Sequence, residues 1–203
     1  RTTSWFLGLA AAFILILPAA FLYSKNSSPQ HSSRTEPFNT VEAYLKNAYA
    51  RDFKKAYRYI SLGDRQLKSE RVYVREKGSF NGFPLAVTRT LSEFIELRPL
   101  ETLREQDGHM RVKVEAKYPD ANSLSAILLD WDEERLNALP SSMQQDILST
   151  LDQMNRAGEI KTIEGEEEFT LVKEGTSWRV YLDWAAGIRV SYKVVAQKSP
   201  PTL

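Results

Sequence analysis

His109, Tyr118, Asp130, Asp132 and Asp183 are the side chains whose types suit general acid–base chemistry. Each would need a partner on the same pocket wall, and the sequence spaces them poorly for that. No Asp/His pair stands at close spacing. His109 closes a Gln106-Asp107-Gly108-His109 turn, where an imidazole is solvated or structural. Asp130 and Asp132 flank Trp131, and Asp183 precedes Trp184. Each of these acids falls where a strand ends, a common place for a helix cap or an edge charge. A metal centre has less support still. The 2 histidines, His31 and His109, lie far apart, with no HExxH pattern and no clustered aspartates. The run Glu164–Glu168 reads as solvated charge, and there is no glycine-rich phosphate loop. These residues point to a protein that is not an enzyme and carries no metal and no cofactor.

Composition narrows the classes further. A net charge of +1 argues against nucleic acid as a partner, because phosphate binding needs a strong basic surplus. The absence of cysteine excludes disulfides, iron–sulfur clusters, thiolate zinc sites and covalent haem attachment. Hydrophobic residues at 42% and charged residues at 26% are ordinary for a folded domain, so the chain has the means to bury one core.

The segment that fixes where any such domain works is Trp5–Tyr23, WFLGLAAAFILILPAAFLY, which carries no charged side chain. As a helix it would span roughly 28 Å, close to the hydrocarbon thickness of a bilayer. Trp5 and Tyr23 stand at its ends, where amphipathic rings prefer the headgroup layer. Pro18 is tolerable in a membrane helix, and Gly8 and Ala12 form a small-xxx-small pair suited to close helix approach. Residues 1–23 are therefore read as a transmembrane helix rather than a signal peptide, whose apolar core is shorter and whose cleavage site is poorly matched at Pro18-Ala19-Ala20. The chain begins at Arg1 rather than methionine, so residues upstream are expected. Arg1 on one side, against Lys25 and Arg34 on the other, leans weakly towards a cytoplasmic domain.

Residues 24–39 are read as a polar tether rich in Ser, Pro and Asn. Thr40–Ile60 has the apolar period of an amphipathic helix, carried by Val41, Leu45, Ala48 and Ala56 with Tyr44, Tyr49, Phe53 and Tyr57 alongside. A short helix over Asp64–Glu70 and a loop at Gly78–Pro84 come next, with Phe80 and Phe83 read as core plugs. Ala86–Arg98 is read as strand with an alternative short helical turn. Met110–Tyr118 alternates cleanly and is the clearest strand. Leu124–Trp131 fits either a strand or the lead-in to a helix. Asp132–Ala157 reads as two helices broken at Pro140. Glu166–Lys173 and Ser177–Asp183 form a hairpin about Glu174-Gly175-Thr176. Ile188–Val195 reads as a last strand, and residues 198–203 as an unstructured tail.

This order of elements is an α+β plan. The stretch VEAYLKNAYARDFKKAYRYIS resembles the first helix of nuclear transport factor 2-like domains, with Ala43, Tyr44, Leu45, Asp52, Phe53, Ala56 and Tyr57 in register. EGTSWRVYLDW resembles the closing hairpin of that family. The resemblance implies that residues 40–197 form a cystatin-like cone, a curved antiparallel sheet packed on a long helix, with 132–157 as a helical insertion. It implies an extracytoplasmic domain, on the periplasmic side of an inner membrane, with Tyr118, Asp130 and Asp183 as the residues to line a cone pocket. Such motifs specify shape rather than chemistry. The expected function is that of a single-pass accessory subunit. Its partners are the lipid bilayer and other subunits of an integral membrane complex, such as a respiratory or photosynthetic assembly, and it acts as a scaffold without a redox centre. The alternative is an extracytoplasmic binder of a small apolar ligand in the cone, with a cone-pocket enzyme as the weakest reading.

Overall fold

The computed structural model describes residues 31–104 and 108–186, with side chains described from residue 36. The chain divides into two units between Thr35 and Glu36, and the sheet and all the buried cores belong to the second. The helices are α1 (His31–Tyr49), α2 (Phe53–Ala56), α3 (Leu62–Leu67), α4 (Glu70–Lys77), α5 (Gly82–Glu93), α6 (Glu133–Asn137) and α7 (Ser141–Ala157). The strands are β1 (Glu96–Arg104), β2 (His109–Pro119), β3 (Thr162–Glu174) and β4 (Ser177–Tyr181). They make one antiparallel sheet in the order β1-β2-β3-β4.

The alternation in β2 decides how this sheet is used. Val112, Val114 and Ala116 are buried on one face, together with Leu171 of β3 and Trp178 and Val180 of β4. Val41 of α1 packs on them, with Phe38 and Tyr44 alongside. The opposite face carries Arg111, Lys113 and Lys117 of β2 against Glu164, Glu166 and Glu168 of β3. Lys113 meets Glu166 at 2.5 Å, Arg111 meets Glu168 at 3.5 Å and Lys117 meets Glu164 at 3.7 Å. Those pairs offset the direct Glu115–Glu166 opposition, which would otherwise repel. β3 turns into β4 through Gly175-Thr176, with Gly175 at φ +61°, as a two-residue hairpin led by glycine requires. The edge strand β1 carries Pro99 and a register shift between Pro99 and Glu101, both of which discourage pairing with another chain.

A second core is entirely helical. Phe83, Val87 and Leu91 of α5 pack with Leu124, Leu128, Leu136 of α6 and Leu151 of α7. A third, smaller cluster of Tyr57, Ile60 and Tyr73 joins α2–α4 to Trp184. Asp64 ties this region down. Its buried carboxylate accepts from Ser61 Oγ and from the backbone N–H groups of Leu182 and Trp184.

Several expectations are corrected here. No helix among the described residues is long and apolar enough to cross a membrane. The longest described helix that was expected to pack on the sheet, α1, is amphipathic and carries Glu42 and Lys46. Trp5–Tyr23, with Gly8, Ala12 and Pro18, lies outside the described residues. The expected fold, a transmembrane helix leading into a cone closed by one long helix, gives way to an α+β domain with a four-stranded antiparallel meander. The first helix begins at His31, inside the stretch read as a tether, and stops at Tyr49 rather than Ile60. It stops because Arg51 turns the backbone to φ +54° and Asp52 caps a new helix by accepting from Lys55 N. Ala86–Arg98 is mostly helix, not strand. Thr88, Thr90 and Phe94-Ile95 suit extension by residue type, but Phe83, Val87 and Leu91 recur at helical spacing and bury one face. The helices on either side of Pro140 and the β3–β4 hairpin stand where the sequence places them. The strand expected at 188–195 and the tail at 198–203 lie outside the described residues.

Candidate functional site

The site is built from four segments that end or turn at the same place. α1 ends at Tyr49, and the bend after it presents Arg51. The α4–α5 loop supplies Phe80, and one face of α5 supplies Thr88 and Leu91. The connection after β2 supplies Ala121, Asn122 and Trp131. Together these residues line a half-open hollow of about 240 Å³.

Two aromatic walls shape it. The Phe80 and Trp131 rings lie parallel within 4°, with centroids 6.2 Å apart, and the Arg51 guanidinium sits 4.5 Å over the Phe80 ring. Arg51 is held there by hydrogen bonds from Nε to the Gly78 carbonyl at 3.0 Å and from Nη2 to the Lys77 carbonyl at 3.4 Å, which also satisfy the C-terminal end of α4. Tyr49 stacks on Tyr118 at 5.9 Å and donates its hydroxyl proton to the Pro119 carbonyl at 2.8 Å. Burial, with the nearby Asp120 charge adding to it, pushes the Tyr49 phenol up to about 12. Burial also raises the Tyr118 phenol, helped by its hydrogen bond to Glu167. Both phenols are therefore neutral near pH 7 and serve as ring surface and donors rather than as bases.

Backbone strain converges on the same hollow. Leu129, Asp130 and Trp131 have φ of 50°, 55° and 60°, a left-handed turn of three consecutive non-glycine residues. Such a conformation costs roughly 1–2 kcal/mol per residue for L-amino acids. It is held by hydrogen bonds from Asp130 N to Ser125 O and Trp131 N to Leu128 O, both 2.8 Å, and from Trp131 Nε1 to Ala121 O at 3.0 Å. Asp132 closes the turn by capping α6. Arg51, on the facing wall, is also left-handed at φ +54°. Of the non-glycine residues with positive φ among those described, only Asp183 lies away from this hollow. Strain of this kind persists where the surroundings over-determine it, and it gathers at clamps and binding sites.

No protein-family model matches the chain, and no curated protein and no solved structure matches it either. The functional reading therefore rests on these side chains.

The residues singled out from sequence are not brought to one place. Tyr118 stacks on Tyr49, a wall of the hollow, and is not among the lining residues. Asp130 is exposed in the left-handed turn beside Trp131. Asp132 serves as a helix cap. Asp183 accepts a hydrogen bond from the Tyr181 hydroxyl at 3.0 Å and from Ala186 N. His109 begins β2 rather than sitting in a turn, and its ring lies 5.1 Å from that of Tyr181. Phe83 is a core residue as expected, whereas Phe80 is a pocket wall. Sequence reasoning missed Arg51 and Trp131. Asp130-Trp131-Asp132 drew notice for its acids, while the useful atom group was the ring between them. A larger hollow of about 490 Å³ on the outer sheet face is lined by Glu96, Arg98, Glu115, Lys117 and Glu164, and is a trough among cross-strand ion pairs. Among the described residues no group of three His, Asp or Glu is placed to hold a metal ion.

Proposed function

We propose that this chain is an accessory subunit that works by contact, attached at a membrane and docking its α+β domain on a larger membrane assembly. The observation that carries the docking is the Trp131 hollow. It is walled by stacked rings, strained into shape on two sides and lined by a hydroxyl, an amide and a guanidinium rather than by a carboxylate or imidazole. At about 240 Å³ it falls below the roughly 300–1,000 Å³ of a small-molecule site and suits an inserted part of another chain. The uncharged run Trp5–Tyr23 supports the membrane attachment, and the resemblance to nuclear transport factor 2-like domains supports an extracytoplasmic side. Attachment raises the local concentration of the domain, so one pocket and modest surroundings suffice for stable docking.

The test is gentle solubilisation of native membranes followed by sizing. The chain should migrate with a much larger complex, and Trp131→Ala should release it. A chain that runs alone in mild detergent overturns this reading.

A further inference from the structure

We propose that α3, with the basic helices α2 and α4 around it, forms a surface that lies on an anionic lipid headgroup layer. The inference goes beyond the docking reading and uses a different part of the domain. It starts from how charge is distributed. The chain has a net charge of +1, yet residues 51–77 hold nine basic and four acidic side chains. Two of those acids, Asp52 and Asp64, are buried and held by internal partners. Lys54, Arg58, Arg71, Arg75 and Lys77 are exposed and form no ion pair among the described residues. The outer sheet face is the contrast, because there Arg98, Arg111, Lys113 and Lys117 each have a glutamate partner. Unmatched positive charge therefore collects on α2 and α4.

Between them in the chain stands α3, and two leucines face outward from it. Leu62 and Leu67 are 52% and 49% exposed. At about 100° per residue, Gly63 and Gln66 lie between the two leucines around the helix, while Asp64 is buried on the other side. The helix is fixed from within. Ser61 caps it, and the Asp64 carboxylate accepts from the backbone N–H groups of Leu182 and Trp184, both at 2.8 Å. α2, α3 and α4 also share one packed layer. The Tyr57 and Tyr73 rings lie 5.8 Å apart, and the Tyr57 hydroxyl donates to the Arg65 and Lys68 carbonyls. Leucines held out into water beside unpaired cations meet both needs of an interfacial contact: apolar side chains to enter the acyl boundary, and Lys or Arg for the phosphates. A duplex nucleic acid would take the charge and leave the leucines in water.

The chain has no cysteine, so Gln66→Cys can carry a single environment-sensitive fluorophore, with Gln153→Cys on the exposed side of α7 as the control position. The full chain is reconstituted into phosphatidylcholine vesicles with or without about 30% phosphatidylglycerol. A blue shift at position 66 is expected only with phosphatidylglycerol, and about 0.5 M salt should reverse it. Arg71→Gln with Arg75→Gln changes two exposed side chains and should lower the docked-to-free ratio about 10-fold to 30-fold, at several-fold per cation. Leu67→Ser should reduce the shift without altering its salt dependence. The proposal is overturned by identical spectra in the two vesicles, by an equal shift at position 153, by a shift indifferent to the arginine changes, or by duplex DNA stripping the label from the vesicles at equal phosphate concentration. If no shift occurs while the chain still migrates with its large complex, this inference falls alone. A chain that runs alone in detergent yet shifts on anionic vesicles keeps this inference and ends the docking reading.

Discussion

Asp52 shows how one residue can both end an element and aim a site. It is buried, accepts from Lys55 N at 3.3 Å, and receives Arg89 Nε and Nη2 at 3.1 and 2.7 Å. Burial alone would raise its carboxyl. The Arg89 and Lys55 hydrogen bonds and charges outweigh that and hold it below the usual carboxylate range. Its folded value being depressed, its contribution is present above the ordinary unfolded value of about 3.9 and is lost as pH falls through the folded value. Asp52→Asn keeps the shape and removes the charge. Urea unfolding should show a loss of about 2 kcal/mol at pH 7, shrinking towards pH 2. An equal loss at both ends of that range would assign the effect to capping geometry instead. The neighbouring prediction concerns Asp130, in the middle of the left-handed turn. Glycine adopts φ +55° freely, so Asp130→Gly should stabilise the domain by about 0.5–1 kcal/mol in thermal or urea melts. A destabilisation would mean that this turn stores no strain. Neither residue announced its role in sequence. Asp52 stands in register with the family resemblance, but nothing there marks it as a cap, and of Leu129–Trp131 only Asp130 is a type that tolerates positive φ.

Among the elements, α5 depends on a contact that local sequence does not predict. Its N-terminal Asn81 makes no side-chain cap, and the otherwise orphaned N–H of Phe83 is met instead by Asn137 Oδ1 of α6 at 2.8 Å. Gly82 makes room for it: a Cβ there would lie 2.1 Å from the same oxygen, and its φ is +61°. Gly82→Ala should therefore cost about 2–3 kcal/mol, adding backbone strain to a lost cap, measured by thermal unfolding. A loss under about 1 kcal/mol would show that Asn137 swings aside without consequence. The same region marks where the pattern stopped being legible. β2, the β3–β4 hairpin and the helices about Pro140 carry clean period-2 or period-3.6 signals with turn residues at their ends, and they were readable. α5 was not, because two β-branched residues lie on its buried face and its cap comes from more than fifty residues away. The pocket was not readable for the same reason: its walls come from four segments, each ordinary by itself.

Across the molecule, the long excursion between β2 and β3 sets the order of stability. Pro119 and Thr162 are direct partners in the sheet, and Asp120 N bonds Lys161 O at 2.8 Å, so the chain leaves and re-enters at one point. Everything between, with α5, forms the helical core around Leu91, Leu136 and Leu151, while the sheet and α1 keep a separate core around Val112, Val114 and Leu171. The two clusters are also bridged by Thr88 to the Ala50 carbonyl and by Arg89 to Asp52, yet separate cores need not open together. Leu151 is fully buried, and Leu151→Ala should cost about 2–5 kcal/mol in the helical core. Hydrogen exchange should then show amides of α5 and α7 losing roughly 30-fold to 1,000-fold or more in protection, while the Val112, Val114 and Leu171 amides keep theirs. Equal loss in both cores would make the domain a single cooperative unit. The Trp131 pocket lies where the two cores meet, with Tyr49 stacked on Tyr118 of the sheet and Leu91 in the helical core. A docked partner would contact both sides, so α5 and α7 of the Leu151→Ala variant should keep more protection in the assembled complex than in the isolated chain, by the population shift that any ligand of the closed state imposes.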